Sequence, residues 1–258
     1  MEVDADLAIN MFVGDADFDE VTKITDEAAE FLSEQDEILF LDGLTELSDA
    51  AAESFSKHQC GLGLDGLSKL SDAAAESLSK HQGGLGLDGL TELSDAAAES
   101  LSKSKGALHF SGLTKLSDAA AESLSKHQGG LVLGLTELSD AAAESLSKYQ
   151  VGGEQGSNDE WFKDDCNFGL YLWGLTKLSD AAAESLSKSK DELDLSSLTE
   201  LSETAAESLS KHEGELFLGG LTELSDAAAA ALAQKSGTIN TMSPPEWVVS
   251  ILDKIAEQ

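Results

Sequence analysis

The ten residues 71–80, SDAAAESLSK, recur without change at four further places in this chain, and they decide its fold. Later copies begin at Ser94, Ser117, Ser139 and Ser179, and near-copies begin at Ser48, Ser202 and Ser225. Almost every copy starts 23 residues after the copy before it. A fixed period of this length is the signature of a solenoid, in which each unit packs only on its neighbours.

One complete unit spans residues 85–107, LGLDGLTELSDAAAESLSKSKGA. Leu85 and Leu87 alternate with a glycine, which is the period-two pattern of a short strand with one buried face. Ser94 is a good helix N-cap, and Asp95 places a negative charge where the helix dipole favours it. The alanines that follow favour a helix that can pack closely on the sheet. The pattern therefore predicts one short strand and one short helix per unit.

A single unit cannot bury its leucines, but stacked units can. Stacking predicts an α/β solenoid with a parallel sheet on one side, helices on the other and a continuous leucine core between them. About nine repeats cover residues 16–240, the first of them degraded. Their predicted starts are Ala16, Leu39, Leu62, Leu85, Leu108, Leu131, Leu170, Leu193 and Leu216.

The strand and loop leucines, spaced L-x-L-x-x-L-x-x-L, resemble the leucine-rich repeat family, in a short bacterial-looking variety. The resemblance implies a curved solenoid of right-handed β-α units, with a concave sheet and convex helices, that binds macromolecules on the concave face. The family commonly has an asparagine in the loop, where this chain has leucine, as at Leu44, Leu67, Leu90 and Leu113. The polar backbone of these loops must therefore pair in another way.

Three segments stand outside the repeats. Residues 1–15 are predicted to form an acidic N-terminal cap, and residues 241–258 a C-terminal capping helix with an apolar stripe. Residues 153–169 form an insertion between the repeats that start at Leu131 and Leu170. Solenoid insertions project as loops beside the binding face, so this one is a candidate contact segment.

The charge of the chain excludes several classes of partner. There are 49 acidic residues against 16 lysines and no arginine, a formal net charge of −33. Such a surface repels phosphate, so nucleic acid and anionic membrane are excluded as partners, and a basic protein is favoured. Cys60 and Cys166 should lie too far apart for a disulfide. With no apparent secretion signal, a cytoplasmic location is predicted.

Function is best sought where the copies differ, because the shared residues already serve the fold. On the predicted concave face, glycine and aspartate in the early repeats give way to aromatic and apolar residues later. Exposed aromatic side chains are typical anchors for a protein partner. The predicted contact residues are His109, Val132, Tyr171, Trp173 and Phe217 on the strands, with Trp161 and Phe162 on the insertion.

Other interpretations remain open. An acidic structural or divalent-cation-buffering solenoid without a specific partner is the main alternative, and Asp159, Glu160, Asp164 and Asp165 could ligate Ca²⁺. A column of histidines (His58, His81, His127 and His212) is predicted at helix C-termini, where a partly charged imidazole suits the dipole. No catalytic or cofactor motif is present, so no enzyme activity, cofactor or resident metal is predicted.

Overall fold

A computed structural model describes residues 1–13, 18, 20–152, 169–222, 224–235 and 238–240. Most of its helices have only seven residues, two turns each, and they recur at the period of the sequence repeat. They are α1 (Ala5–Val13), α2 (Asp26–Ser33), α3 (Asp49–Phe55), α4 (Asp72–Leu78), α5 (Asp95–Leu101), α6 (Asp118–Leu124), α7 (Asp140–Leu146), α8 (Asp180–Leu186), α9 (Glu203–Leu209) and α10 (Asp226–Leu232).

The strands are shorter still, two to four residues each. They are β1 (Glu2–Val3), β2 (Lys23–Ile24), β3 (Leu39–Phe40), β4 (Leu62–Gly63), β5 (Leu85–Gly86), β6 (Leu108–Phe110), β7 (Leu131–Leu133), β8 (Gly169–Leu172), β9 (Glu192–Asp194), β10 (Leu216–Phe217) and β11 (Ile239–Asn240). Strands β3 to β11 form, within the described residues, one parallel nine-stranded sheet in chain order, which confirms the predicted α/β solenoid.

The sheet register follows the repeat register. Leu62 pairs with Leu85, and Leu85 pairs with Leu108, so equivalent leucines stand side by side. The insertion does not disturb this order, because Leu131 pairs directly with Leu170. Extra chain between two units is therefore accommodated without a change in the strand pairing.

The core lies between the sheet and the helices and runs the whole length of the array. Each unit contributes leucines from its strand and loop and two alanines from its helix, as with Leu85, Leu87, Leu90, Ala97 and Ala98. Each of α2 to α9 packs on the helix before it and the helix after it. Alanine is small, so at these contacts it lets neighbouring helices pack closely on one another.

Each of the helices α2 to α10 begins after a serine or threonine that caps it, as the repeat pattern predicts. The Oγ of Ser94 accepts the backbone N–H of Ala97 at 3.0 Å. The same hydroxyl also donates to the carboxylate of Asp72 in the preceding unit, at 2.5 Å. Equivalent bonds join the other serine caps to the acidic residue that opens the preceding helix; we call this row the Ser–Asp ladder. It ties each helix start to its neighbour.

The loops between strand and helix pair through their backbones. The N–H of Thr222 donates to the carbonyl oxygen of Thr199 at 3.0 Å, and that of Thr199 to Thr176 at 3.1 Å. A Cβ at Gly89 would lie 2.0 Å from the carbonyl oxygen of Asp65, so only glycine allows the loops to stack this closely. Leu44 and its equivalents are buried, and the loop polar groups pair across units without an asparagine.

The N-terminal residues form a small sheet of their own. Strand β1 pairs in parallel with β2, and the α-amino group of Met1 donates to the carbonyl oxygen of Glu20 at 2.8 Å. The predicted start of the degraded first strand at Ala16, most of the insertion (153–168) and the predicted helix at 241–258 lie outside the described residues. In the part of the chain that is described, no helix is long and apolar enough to cross a bilayer.

Candidate partner-binding face

The face of the nine-stranded sheet that points away from the leucine core, called the sheet face below, carries the residues that vary between units. Side chains alternate along a strand, so Phe40 lies on this face because its neighbours Leu39 and Leu41 enter the core. Two large apolar side chains on this face are well exposed: Phe40 at 40% and Trp173 at 39%. Phe40 lies on β3, at one edge of the sheet, and Trp173 follows β8, five strands further along.

The early part of the sheet face is an ordered row of aspartates. Asp42 accepts the backbone N–H of Asp65 at 3.3 Å, and Asp65 accepts that of Asp88 at 2.9 Å. Asp88 in turn accepts the N–H of Ser111 at 2.6 Å. These half-buried carboxylates therefore join one unit to the next.

Glycine beside this row has a steric reason. A Cβ at Gly63 would lie 2.6 Å from Oδ1 of Asp42, and one at Gly86 would lie 2.9 Å from Oδ1 of Asp65. Both distances are shorter than real Cβ contacts allow, so these glycines make room for the carboxylates. The smooth acidic surface expected here is thus a consequence of how the units are joined.

One aspartate of this row, Asp65, has its pKa changed by burial and by the charges of its neighbours. Burial raises the pKa of Asp65 from 3.8 to about 6, and the charges of Asp88 and Asp42 act in the same direction. His109 follows the row on strand β6 and is half-buried. Burial lowers the pKa of His109, against the attraction of the Asp88 carboxylate.

Two predicted contact residues are not exposed. Val132 is fully buried and Tyr171 is only 4% exposed; they pack together in a small apolar cluster separate from the leucine core. The phenol of Tyr171 donates to Glu192 at 2.8 Å. The expectation that both side chains stand exposed on the face was wrong, because neighbouring strands give each of them a buried setting.

Trp173 keeps its exposure and is held in a defined orientation. Its Nε1–H donates to Oδ2 of Asp194 at 3.2 Å, while Oδ1 of Asp194 accepts the N–H of Ser196 at 2.7 Å. The rings of Trp173 and Tyr171 meet edge to face, with centroids 5.8 Å apart and planes at 70°. A fixed indole loses little side-chain entropy when it meets a partner.

Phe217 and two glutamates complete this end of the sheet face. Phe217 is half-buried and pairs in register with Asp194. Burial raises the pKa of Glu192, and the charges of Glu215 and Asp194 add to that effect, while the bond from Tyr171 opposes it. Glu192 and Glu215 were not among the predicted contact residues, although the period-two pattern of the neighbouring strand residues would place them on this face.

The remaining predicted contacts, Trp161 and Phe162, lie outside the described residues, as do Asp159, Glu160, Asp164 and Asp165. Their roles stay predictions. Within the described ranges, no group of three or more histidine, cysteine, aspartate or glutamate side chains is placed to hold a metal ion.

The histidine column is buried, which corrects the expectation of partly charged imidazoles. His58 and His81 stack with ring centroids 5.9 Å apart, and Nδ1 of His81 lies 3.2 Å from the carbonyl oxygen of Phe55. Burial lowers the pKa of His127 from 6.5 to about 4, so it is neutral at pH 7. The histidine side chains of this column are therefore packed inside the array, beside the C-terminal ends of the helices.

Tyr149 takes the place of histidine in one unit and stands beside the insertion. Its hydroxyl donates to the carbonyl oxygen of Gly129, in the preceding unit, and lies 3.3 Å from that of Gly169, the last residue of the insertion. Asp191 accepts the N–H of Val151 at 2.7 Å. Together these bonds hold the two ends of the insertion against the neighbouring units.

Comparison with known proteins adds no identity. No protein-family model matches the chain, and no curated protein matches it significantly.

Proposed function

We propose that this chain is a non-enzymatic scaffold of the leucine-rich-repeat type that binds a protein partner on its sheet face. The contact surface is centred on Trp173, Glu192, Asp194, Glu215 and Phe217, called the Trp173 patch below. The exposed and orientationally fixed indole of Trp173 carries this proposal. Tryptophan in such a setting is the commonest kind of hot-spot residue at protein interfaces.

The other predicted contact residues take different parts. Tyr171 and Val132 support the patch from their buried cluster, and Tyr171 packs directly against the indole. His109 adds a half-buried imidazole two strands away from Tyr171 along the sheet. Trp161 and Phe162, on the insertion, lie outside the described residues and stay predicted contacts.

The test compares two aromatic sites on the same face. The double variant Trp173→Ala/Phe217→Ala should lose its specific partners in affinity purification followed by quantitative mass spectrometry. Phe40→Ala removes an equally exposed aromatic side chain and should retain them. Circular dichroism should show both variants folded. Undiminished recovery with the double variant would rule out the Trp173 patch as the contact.

A further inference from the structure

Two cavities on the helix side of the array coincide with one change in the repeat. The larger, of about 1010 Å³, lies beside the C-terminal ends of α5 and α6, and the smaller, of about 550 Å³, beside those of α8 and α9. In both, the His–Gln pair that follows α3, α4 and α6 is replaced after the first helix by Ser–Lys, at residues 104–105 and 189–190. The same exchange therefore accompanies both cavities.

The serine of this pair is buried and lacks a hydrogen bond. Ser104 lines the larger cavity, in the column where other units place an imidazole, and its side chain is much smaller. The residue is only 5% exposed, and among the described residues its Oγ has no hydrogen-bond partner. A buried hydroxyl in this state is unfavourable, so this one is suited to donate to an oxygen of a bound molecule.

The lining of the larger cavity carries a net positive charge. Lys103, Lys105 and Lys126 contribute three ammonium groups against the two carboxylates of Glu99 and Glu122. These carboxylates pair with Lys103 and Lys126, each at 3.4 Å, which leaves the charge of Lys105. The sign is the reverse of that of the whole chain, whose net charge is −33.

The lining also selects among classes of ligand. Apart from Ala119 and Gly152 it is polar or charged, which disfavours an apolar molecule, and its three lysines disfavour a cation. A small anion fits, because charges more than about 8 Å away are largely screened at physiological ionic strength. Nucleic acid stays excluded, since a long polyanion would extend over the acidic surface beyond the cavity.

We propose that the cavity beside α5 and α6, called the Ser104 cavity below, binds a small molecule that carries a phosphate group. Lys105 and Lys126 supply the opposite charge, and the Ser104 hydroxyl and the Gln128 amide donate hydrogen bonds. A phosphate ester has a charge of about −1.5 to −2 and three acceptor oxygens, which suits these four donors better than a carboxylate does. The site lies away from the sheet face and does not depend on the proposed scaffold function.

The smaller cavity offers a natural comparison. It repeats the pair as Ser189 and Lys190, but Glu213 stands where the Ser104 cavity has Gln128. Its lining has three lysines and three glutamates and therefore no net charge. We expect it to bind phosphate more weakly than the Ser104 cavity does.

Inorganic phosphate is the probe. It is titrated at pH 7.5 into the full chain labelled with ¹⁵N-lysine, with sodium chloride adjusted to hold the ionic strength at 0.15 M. The backbone amide signals of Lys105 and Lys80 are each identified by their loss when that lysine is changed to glutamine. Phosphate should shift the Lys105 signal in a saturable way and leave that of Lys80, which precedes a histidine after α4, unmoved.

Three variants locate the binding, each followed at the Lys105 signal. Ser104→Ala removes the buried hydroxyl and should weaken phosphate binding by about tenfold. Gln128→Glu gives the Ser104 cavity the neutral lining of the smaller one and should weaken binding as much. Gln82→Glu adds the same charge after α4, outside the cavity lining, and should leave the affinity unchanged.

Four results would overturn the inference: no saturable shift at Lys105, an equal shift at Lys80, unchanged affinity in Ser104→Ala, or equal weakening by Gln128→Glu and Gln82→Glu. Partner recovery with Trp173→Ala/Phe217→Ala tests the opposite side of the array. The phosphate site and the scaffold function can therefore fail independently of each other.

Discussion

At the residue scale, the half-buried Asp65 and the buried His127 give this solenoid opposite responses to pH. Asp65 has its pKa raised to about 6, so its protonated form is favoured by folding. His127 has its pKa lowered to about 4, so folding opposes its protonation. Acidification from pH 7 to 5 should therefore stabilise the array through Asp65 and destabilise it through His127.

Asp65→Asn should stabilise the fold at pH 7.5. The ordinary pKa of this carboxyl is 3.8, so the stability due to its protonated form is complete below pH 3.8 and is lost as the pH rises through about 6. The asparagine keeps an oxygen for the N–H of Asp88 and carries no charge. Allowing for solvent screening, we expect a gain of about 1 kcal/mol at pH 7.5, measured by urea unfolding. Glu53→Gln is the control, and an equal gain there would contradict the assignment to Asp65.

His127→Ser should reduce sensitivity to acid. In the native chain the unfolded state takes up a proton as the pH falls below 6.5, while the folded state resists it until about pH 4, so stability falls through that range. Serine occurs naturally in the same column at Ser104 and Ser189. Lost packing should cost about 2 kcal/mol at pH 7.5, but less stability should be lost between pH 7 and 5. Urea unfolding at both values measures this, and an unchanged pH slope would refute it.

At the scale of the element, the Ser–Asp ladder gives each N-cap two tasks. Ser94→Ala removes the acceptor for Ala97 and the donor to Asp72 together. We expect the free energy of unfolding to fall by about 1–2 kcal/mol, which is large for a helix cap because two hydrogen bonds are lost. Ser100→Ala changes a serine inside the same helix whose side chain has no described hydrogen bond, and it should be neutral or slightly stabilising. Thermal unfolding measures the stability of both variants. An equal loss of stability in the two would argue against a contribution from the Ser–Asp ladder.

The sequence pattern within a single unit predicts some features of the strands and helices but not others. Ser94 as a cap, Leu85 as a core strand residue and the unit period all follow from local pattern, and the structure confirms them. The bond from Ser94 to Asp72 does not follow, because it joins residues 22 positions apart and depends on how closely the helices stack. The burial of Tyr171 could not be predicted either, since it depends on Val132 in the preceding repeat and Glu192 in the following one.

At the scale of the whole molecule, stability should be close to a sum over units and their contacts. Deleting residues 85–107 removes one period and joins Gly84 to Leu108, so Leu62 can pair with Leu108 and Asp72 can accept from Ser117. We expect a folded chain whose urea m-value is lower by roughly one tenth. Deleting only residues 91–93 shortens the chain between β5 and α5, so the strand and the helix of this unit cannot both keep register with their neighbours, and it should destabilise the array more than loss of the whole unit does. Equal or greater stability of the three-residue deletion would contradict a register-based fold.

The Ser–Asp ladder also gives the array a direction. In every bond of the ladder a serine hydroxyl donates to the acidic side chain of the preceding unit. The two ends of the row therefore differ, as the two ends of a filament of identical subunits do. A serine-capped unit whose helix opens with an acid presents a donor to the unit before it and an acceptor to the unit after it. Such a unit can therefore be placed between any two others, and the array could be lengthened one whole unit at a time.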